Sequence, residues 1–388
     1  MASSDDIFHA NPIAPLKLLA LPGCEDMVAA VNRHLIEFRR EELEDSPNKK
    51  EFYGFAPESF ILNAECPRFG SGEAKGLINE SVRGVDLYLL VDVCNYSVTY
   101  KQFGQINHMS PDDHYQNLKR IIAAVNGKAH RISVIMPFLY EGRQHKRANR
   151  ESLDCALALQ EISNMGVTNF ITFDAHDPRV MNAIPLHDFD NFFPTYQFLK
   201  ALLRSEPDIQ LNNEHLMVIS PDEGAMSRAV YFSNVLGVDM GMFYKRRDYS
   251  VIIDGKNPIV AHEFLGASVE GKDCLVVDDM ISSGGSMMDV ASQLKERGAR
   301  RVFVCTTFGL FTDGLDMFDK YYEDGIISKI ITTNLVYQTP ELLTRPWYET
   351  ATMEKYIASI IDTLNHDVSI APIHDNTIKI NKLLQQHR

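Results

Sequence analysis

The sequence predicts an α/β protein of two domains, each a mainly parallel sheet flanked by helices, and three observations carry that prediction. Short apolar runs of strand length alternate with segments of helical period from residue 15 to residue 364. At 388 residues the chain is long enough for two cores of ordinary size. One stretch, residues 274–297, holds a complete strand, loop and helix unit of the kind that builds open parallel sheets. The boundary falls near residues 192–196. It gives an N-terminal half, 1–195, and a C-terminal half, 196–388, whose last residues are expected to pack back on the N-terminal domain.

Composition narrows the function before any motif does. The chain is 45% apolar and 23% charged, as globular proteins are, and no apolar run is long enough to span a membrane. Residues 1–11 carry acids and no apolar core, unlike a secretory signal, so a cytoplasmic enzyme is the expectation. A net charge of -14 argues against nucleic acid or an anionic membrane as the main partner. An acidic chain that handles anionic ligands has to concentrate positive charge locally, and residues 143–150 and 245–247 do so. The six cysteines lack metal-ligand spacing and read as reduced, mostly buried small residues.

In the N-terminal half, residues 15–21 read as a strand, and Met27, Val28, Val31, Leu35 and Phe38 mark a helix over 24–38. The charged, proline-containing segment 41–51 reads as a surface insertion, and Phe69 to Glu73 as a hairpin turn ahead of a strand at 85–93. Ser110, Pro111, Asp112 and Asp113 form a helix start with proline at the first helical position. Leu118, Ile121, Ile122 and Val125 give that helix its apolar face. A strand at 131–138 leads into a basic loop, a helix at 152–165 ends at Gly166, and a strand at 169–173 delivers Asp174, Ala175 and His176.

The C-terminal half opens with a strand at 215–219, then Ser220, Pro221, Asp222, Glu223 and Gly224, a helix through Met226, Ala229 and Val235, and a strand at 238–243. Lys245 and Arg247 follow, and residues 248–261 read as a flexible loop or a hairpin within it. Residues 274–277 form a buried strand with Asp278 and Asp279 at its carboxyl end. Ser282, Ser283, Gly284, Gly285 and Ser286 lead from it into a helix. Glycines let backbone N–H groups approach an anion at a helix N-terminus, hydroxyls add donors, and the acid pair can accept hydrogen bonds from sugar hydroxyls. The stretch therefore describes a ribose-phosphate site. Strands at 301–306 and 326–332, helices at 318–322 and 353–364, a late strand at 368–370 and a polar tail over 376–388 that a helix would suit complete the chain.

The acid pair with its Ser/Gly loop resembles the fingerprint of the phosphoribosyltransferase superfamily, and the chain from Phe69 to Thr333 resembles the ribose-phosphate diphosphokinase, or PRPP synthetase, family. The resemblance implies two Rossmann-like phosphoribosyltransferase-type domains. It also implies transfer of a diphosphoryl group from Mg-ATP to ribose 5-phosphate, with Mg2+ as cofactor. Tyr140 to Arg147 resembles the family's Tyr, Ala, Arg, Gln, Asp loop, matching it at Arg143 and Gln144 with His145 where the family has Asp, and implies nucleotide contacts. Its Phe and Glu that reach a neighbouring subunit's ATP site match Phe69 and Glu73, with Ser71 between them as a departure, implying a homo-oligomer of at least two chains. His176 matches the family's nucleotide-contacting histidine. With Asp222 it is the expected metal ligand.

Lys245 and Arg247 match the Lys, x, Arg that opens the family's catalytic loop. Asp278, Asp279 and Ser282 to Ser286 match its ribose 5-phosphate cradle. Ser81 and Arg83 match part of an allosteric phosphate or ADP site, while residues 177–184 depart from it. A non-catalytic regulatory relative is the alternative, although such proteins tend to lose Lys-x-Arg or alter the cradle, and both are present here.

Overall fold

Successive side chains of a strand point to opposite faces, so a strand buried on both faces needs an unbroken apolar run. The sheet strands here are built that way. The computed structural model describes residues 10–247 and 259–386, with the side chains of 245–247 and 259–262 outside that description. The chain divides into two compact units. The first comprises residues up to Phe193 together with Leu335–Tyr337 and Thr352–Asp375, and the second comprises Pro194–Asn334, Gln338–Ala351 and the segment from Asn376.

The first unit holds a five-stranded sheet in sequence order: β1 (Leu16–Ala20), β2 (Asp86–Leu90), β3 (Arg131–Ile135), β4 (Asn169–Phe173) and β5 (Asp188–Phe192). Every neighbouring pair is parallel. Helices α1 (Glu25–Asp45), α2 (Pro111–Val125) and α3 (Asp154–Asn164) belong to this unit. Leu118, Ile121 and Ile122 of α2 and Leu159 and Ile162 of α3 share a core with Leu87, Leu89 and Val134 of the sheet. The start of α2 is a capping box: the Ser110 side chain accepts from the Asp113 backbone N–H and the Asp113 carboxylate accepts from the Ser110 N–H.

The second unit holds a seven-stranded sheet whose strands are β6 (Leu216–Ser220), β7 (Met240–Arg247), β8 (Ile259–Leu265), β9 (Asp273–Ile281), β10 (Arg301–Gly309), β11 (Lys329–Thr333) and β12 (Tyr348–Ala351). Its order is β8-β7-β6-β9-β10-β11-β12, with only the β7–β8 pair antiparallel. Alternation sorts its residues into two cores. Met217, Cys274, Val276, Val302 and Val304 face one side, with α6 (Gly285–Glu296) and α7 (Asp316–Glu323). Val218, Leu275, Val277, Phe303 and Cys305 face the other, where α4 (Thr195–Ser205), α5 (Met226–Leu236) and the terminal helix Thr377–Gln386 cover them.

Two sequence expectations change. Residues 41–51 are mostly exposed, as a surface segment is, but they are no separate insertion: α1 runs on through Asp45, and Arg39 before the segment and Glu42 and Lys49 within it are buried. Residues 368–370 form no strand. The polar tail does form the helix that its sequence allowed, and it buries Ile380 and Leu384. The partners that bury Arg39 come from α8 (Glu354–Asn365) and the residue after it. Arg39 Nη2 donates to Asn365 Oδ1 at 2.7 Å and lies 3.2 Å from Asp362 Oδ1, while Nη1 is 2.7 Å from His366 Nε2. Lys49 Nζ sits 3.3 Å from Glu42 Oε2.

Glu42, Asp362 and His366 are close enough to hold a metal ion. Arg39 and Lys49 already balance the two carboxylates, so a divalent cation would leave excess buried positive charge. All six cysteines are free. No helix among the described residues is long and apolar enough to cross a membrane.

Candidate active site

In the second unit the site is built on β9, which lies between β6 and β10. The strand extends past the two acids to Ile281, which pairs with Gly309, so Asp278 and Asp279 lie within its end and point to opposite faces. The Asp279 N–H donates to Asp278 Oδ1 at 2.8 Å. Asp279 is 4% exposed, and Arg228 Nη2 lies 3.9 Å from its Oδ2. Burial pushes the Asp278 carboxyl well above the usual range, and the neighbouring Asp279 and Asp222 carboxylates push it further. Arg228 was not singled out in the sequence, because it stands alone on α5 outside both basic clusters.

After Ile281 the chain turns through Ser282 to Gly284 into α6. The Ser282 carbonyl accepts from the Thr312 N–H at 3.0 Å, and the Ile281 carbonyl from Leu310 at 2.8 Å. Gly284 is the helix N-cap at φ +92, and no side chain caps the first turn. A Cβ at Gly284 would collide with the ring of Phe318, whereas a Cβ at Gly285 would meet nothing within 4 Å. Ser283, Gly285 and Ser286 are exposed. Backbone donors at the positive end of a helix, with glycine at the closest approach, make an anion site.

Asp222 follows β6. Its Oδ1 accepts from the N–H groups of Gly224 at 2.9 Å and Ala225 at 3.3 Å, and its carbonyl accepts from Ser220 Oγ at 2.6 Å. The β7 strand carries Lys245 and Arg247 opposite His262 and Ile259 of β8, with the register shifting between Arg246 and Arg247. The side chains of Lys245 and Arg247 lie outside the described residues, as do residues 248–258 of the loop or hairpin expected over 248–261, whose last residues, 259–261, belong to β8.

In the first unit the loops after β3 and β4 meet, as neighbouring parallel strands dictate. Tyr140 stacks on Tyr115 at 4.3 Å and its hydroxyl donates to Asp112 Oδ1 at 2.6 Å, anchoring the start of the basic loop. Gln144 Nε2 donates to the carbonyls of Ser152 at 2.9 Å and Lys146 at 3.2 Å, so its amide nitrogen braces the loop itself. Arg143 is exposed. His145 Nε2 lies 3.4 Å from Asp177 Oδ2, and its ring is 5.3 Å from that of the exposed His176. The Arg179 guanidinium and backbone N–H on Asp177 hold its carboxyl down at about 2 against the opposing effect of burial.

The Phe69–Glu73 turn closes with the Phe69 N–H donating to the Glu73 carbonyl at 2.7 Å, and it leans on the hairpin Thr99–Gln102 and Gln105–His108. Gln102 Nε2 donates to the Ser71 carbonyl at 3.1 Å, and Ser71 Oγ to Glu73 Oε2 at 2.9 Å. Phe69 is 55% exposed. Asp92, just beyond β2, was not anticipated. It accepts from Cys94 N–H at 2.9 Å and Tyr337 N–H at 2.7 Å, yet burial pushes its carboxyl up to about 7.

Two family models match the chain: the N-terminal domain of ribose phosphate pyrophosphokinase over residues 16–166 and the phosphoribosyl transferase domain over residues 198–340. The chain is 28% identical to the ribose-phosphate pyrophosphokinase of Vibrio cholerae over 314 residues, 80% of this chain and 90% of that one. To the enzyme of the same name from Buchnera aphidicola it is 27% identical over 320 residues, 81% and 91% of the two chains. Its fold is similar to that of the phosphoribosylpyrophosphate synthetase from Mycobacterium smegmatis, with a TM-score of 0.69, 20% identity, and coverage of 91% of this chain and 99% of that one.

Proposed function

The chain belongs to the ribose-phosphate pyrophosphokinase family, and from that premise we propose how its residues divide the reaction, transfer of the β,γ-diphosphoryl group of ATP to the 1-hydroxyl of ribose 5-phosphate. The observation that carries the reading is the uncapped, glycine-led start of α6 beside half-buried Asp278 and buried Asp279. The 5-phosphate binds the N–H groups and hydroxyls of Ser282 to Ser286, and the sugar's 2- and 3-hydroxyls donate to Asp278 and Asp279. Arg143, Gln144 and His176 hold the nucleotide. Phe69 and Glu73 contribute to the ATP site of another subunit, which makes the working unit a homo-oligomer of at least two chains. The exposure of Phe69 supports that assignment.

The 1-hydroxyl oxygen forms a bond to the β-phosphorus as the bond from that phosphorus to the bridging α–β oxygen breaks. AMP leaves with that oxygen, and the hydroxyl proton passes to water. Lys245 and Arg247 neutralise charge on the transferring group, an electrostatic contribution of about 3 kcal/mol per group. A divalent cation suits this donor set, because the mutual repulsion of Asp222, Asp278 and Asp279 is what bound Mg2+ relieves. We assign His176 of the first unit and Asp222 of the second as metal-binding residues, each within its own unit, and a bound divalent ion would neutralise phosphate charge. The substrates are metabolites, and the cytoplasm is the location this reading gives.

Purified protein with Mg2+, inorganic phosphate, ATP and ribose 5-phosphate is expected to release AMP only when the sugar phosphate is present. Absence of turnover under those conditions would favour the regulatory alternative.

A further inference from the structure

The loops that follow β3 and β4 meet at His145, whose ring lies against Asp177 and His176. His145 is 11% exposed at its side chain, and its Nε2 lies 3.4 Å from Asp177 Oδ2. Its other ring nitrogen, Nδ1, is enclosed without a hydrogen-bond partner. The carboxylate is the acceptor for a proton carried on Nε2. Asp177 thus supplies the polar contact that sets the angle of the ring. Arg179 fixes the carboxylate in turn, donating from Nε to Oδ1 at 2.8 Å and from its backbone N–H to the same oxygen at 3.0 Å. The His145 ring then packs beside His176 at 5.3 Å, tilted by 57°.

We propose that Asp177 and His145 form a brace that joins the nucleotide loop after β3 to the loop after β4, and that this brace positions Arg143 and His176 for the nucleotide without touching it. The proposal rests on the reading of this loop as the nucleotide site. A brace of this kind acts on the affinity for ATP and not on that for the pentose phosphate, whose cradle is built on β9 and α6.

The test uses the full chain carrying Asp177→Asn, His145→Ala, the double substitution, or Asp177→Glu. Asparagine keeps the acceptor for the Arg179 N–H, so the short helix after it stays capped and the variant folds. KM for Mg-ATP is expected to rise about three- to tenfold in each single variant, with KM for ribose 5-phosphate unchanged. The double variant should be no worse than either single one, and Asp177→Glu should recover part of the loss.

An unchanged KM for ATP in Asp177→Asn, an equal rise in both KM values, or fully multiplicative effects in the double variant would overturn the brace. If the unsubstituted chain binds Mg-ATP but releases no AMP, the reaction assigned above fails on its own. The brace is then decided by the Kd of Mg-ATP in the same variants.

Discussion

Gly284 sits where the backbone turns into α6 with φ at +92, and the Phe318 ring occupies the place of any Cβ. Gly284→Ala is therefore expected to destabilise the second unit by about 2–4 kcal/mol, combining left-handed strain with a steric clash. It should also raise KM for ribose 5-phosphate at least tenfold, which thermal unfolding and initial rates would show. Asp92 makes a prediction about pH. Its carboxyl is raised from 3.8 to about 7 in the folded chain, so the folded state holds the proton more tightly than the unfolded one. Its contribution to stability is full below about pH 4 and is lost as pH rises through 7, by about 4 kcal/mol at most. Unfolding of Asp92→Asn and the unsubstituted chain, compared at pH 5 and pH 8, should show the unsubstituted chain losing ground at pH 8. Gly284 and the acid pair were legible because their signal is local, a few adjacent residues. Asp92 was not, because what buries it includes Tyr337, some 245 positions away.

At the scale of elements, the sequence shows no residue-level repeat, yet the two sheets share one. The first residue of β2, Asp86, lies opposite Arg131, the first of β3, and Asp273 at the start of β9 lies opposite Arg301 at the start of β10. Arg131 grips Asp86 with two bonds of 2.8 and 2.7 Å, and Arg301 donates to Asp273 at 3.2 and 2.8 Å. Both aspartates are fully buried. Removing one partner strands a charge, so Arg131→Met should cost about 3–5 kcal/mol, while Asp86→Leu with Arg131→Met should cost much less. Chemical denaturation of the three proteins would decide it. A single pair at the amino ends of strands leaves no pattern a reader of sequence could follow. The start of α2 was legible in full, because Ser110, Pro111 and Asp113 encode their own cap. The far end of α1 was not: residues 39–45 look solvated until α8 arrives to bury Arg39 and Glu42.

For the whole molecule, the alternation of strands and helices was enough to read two α/β units, and their sheets are parallel except at β8. What sequence could not supply is the path between them. The chain enters the first unit again at Leu335–Tyr337 and at Thr352–Asp375. Light scattering on the purified chain is expected to report at least a dimer, and a monomer that still turns over would remove Phe69 and Glu73 from a shared site.

The route of the chain bears on how it is made. Asn365 binds Ala14, Asp86 and Ile13, so the first sheet keeps polar groups waiting for a segment that follows the entire second sheet. At about 5–20 residues per second, a ribosome needs roughly ten to forty seconds between completing β5 and extruding that segment. Newborn protein spends that interval with the seat of α8 bare.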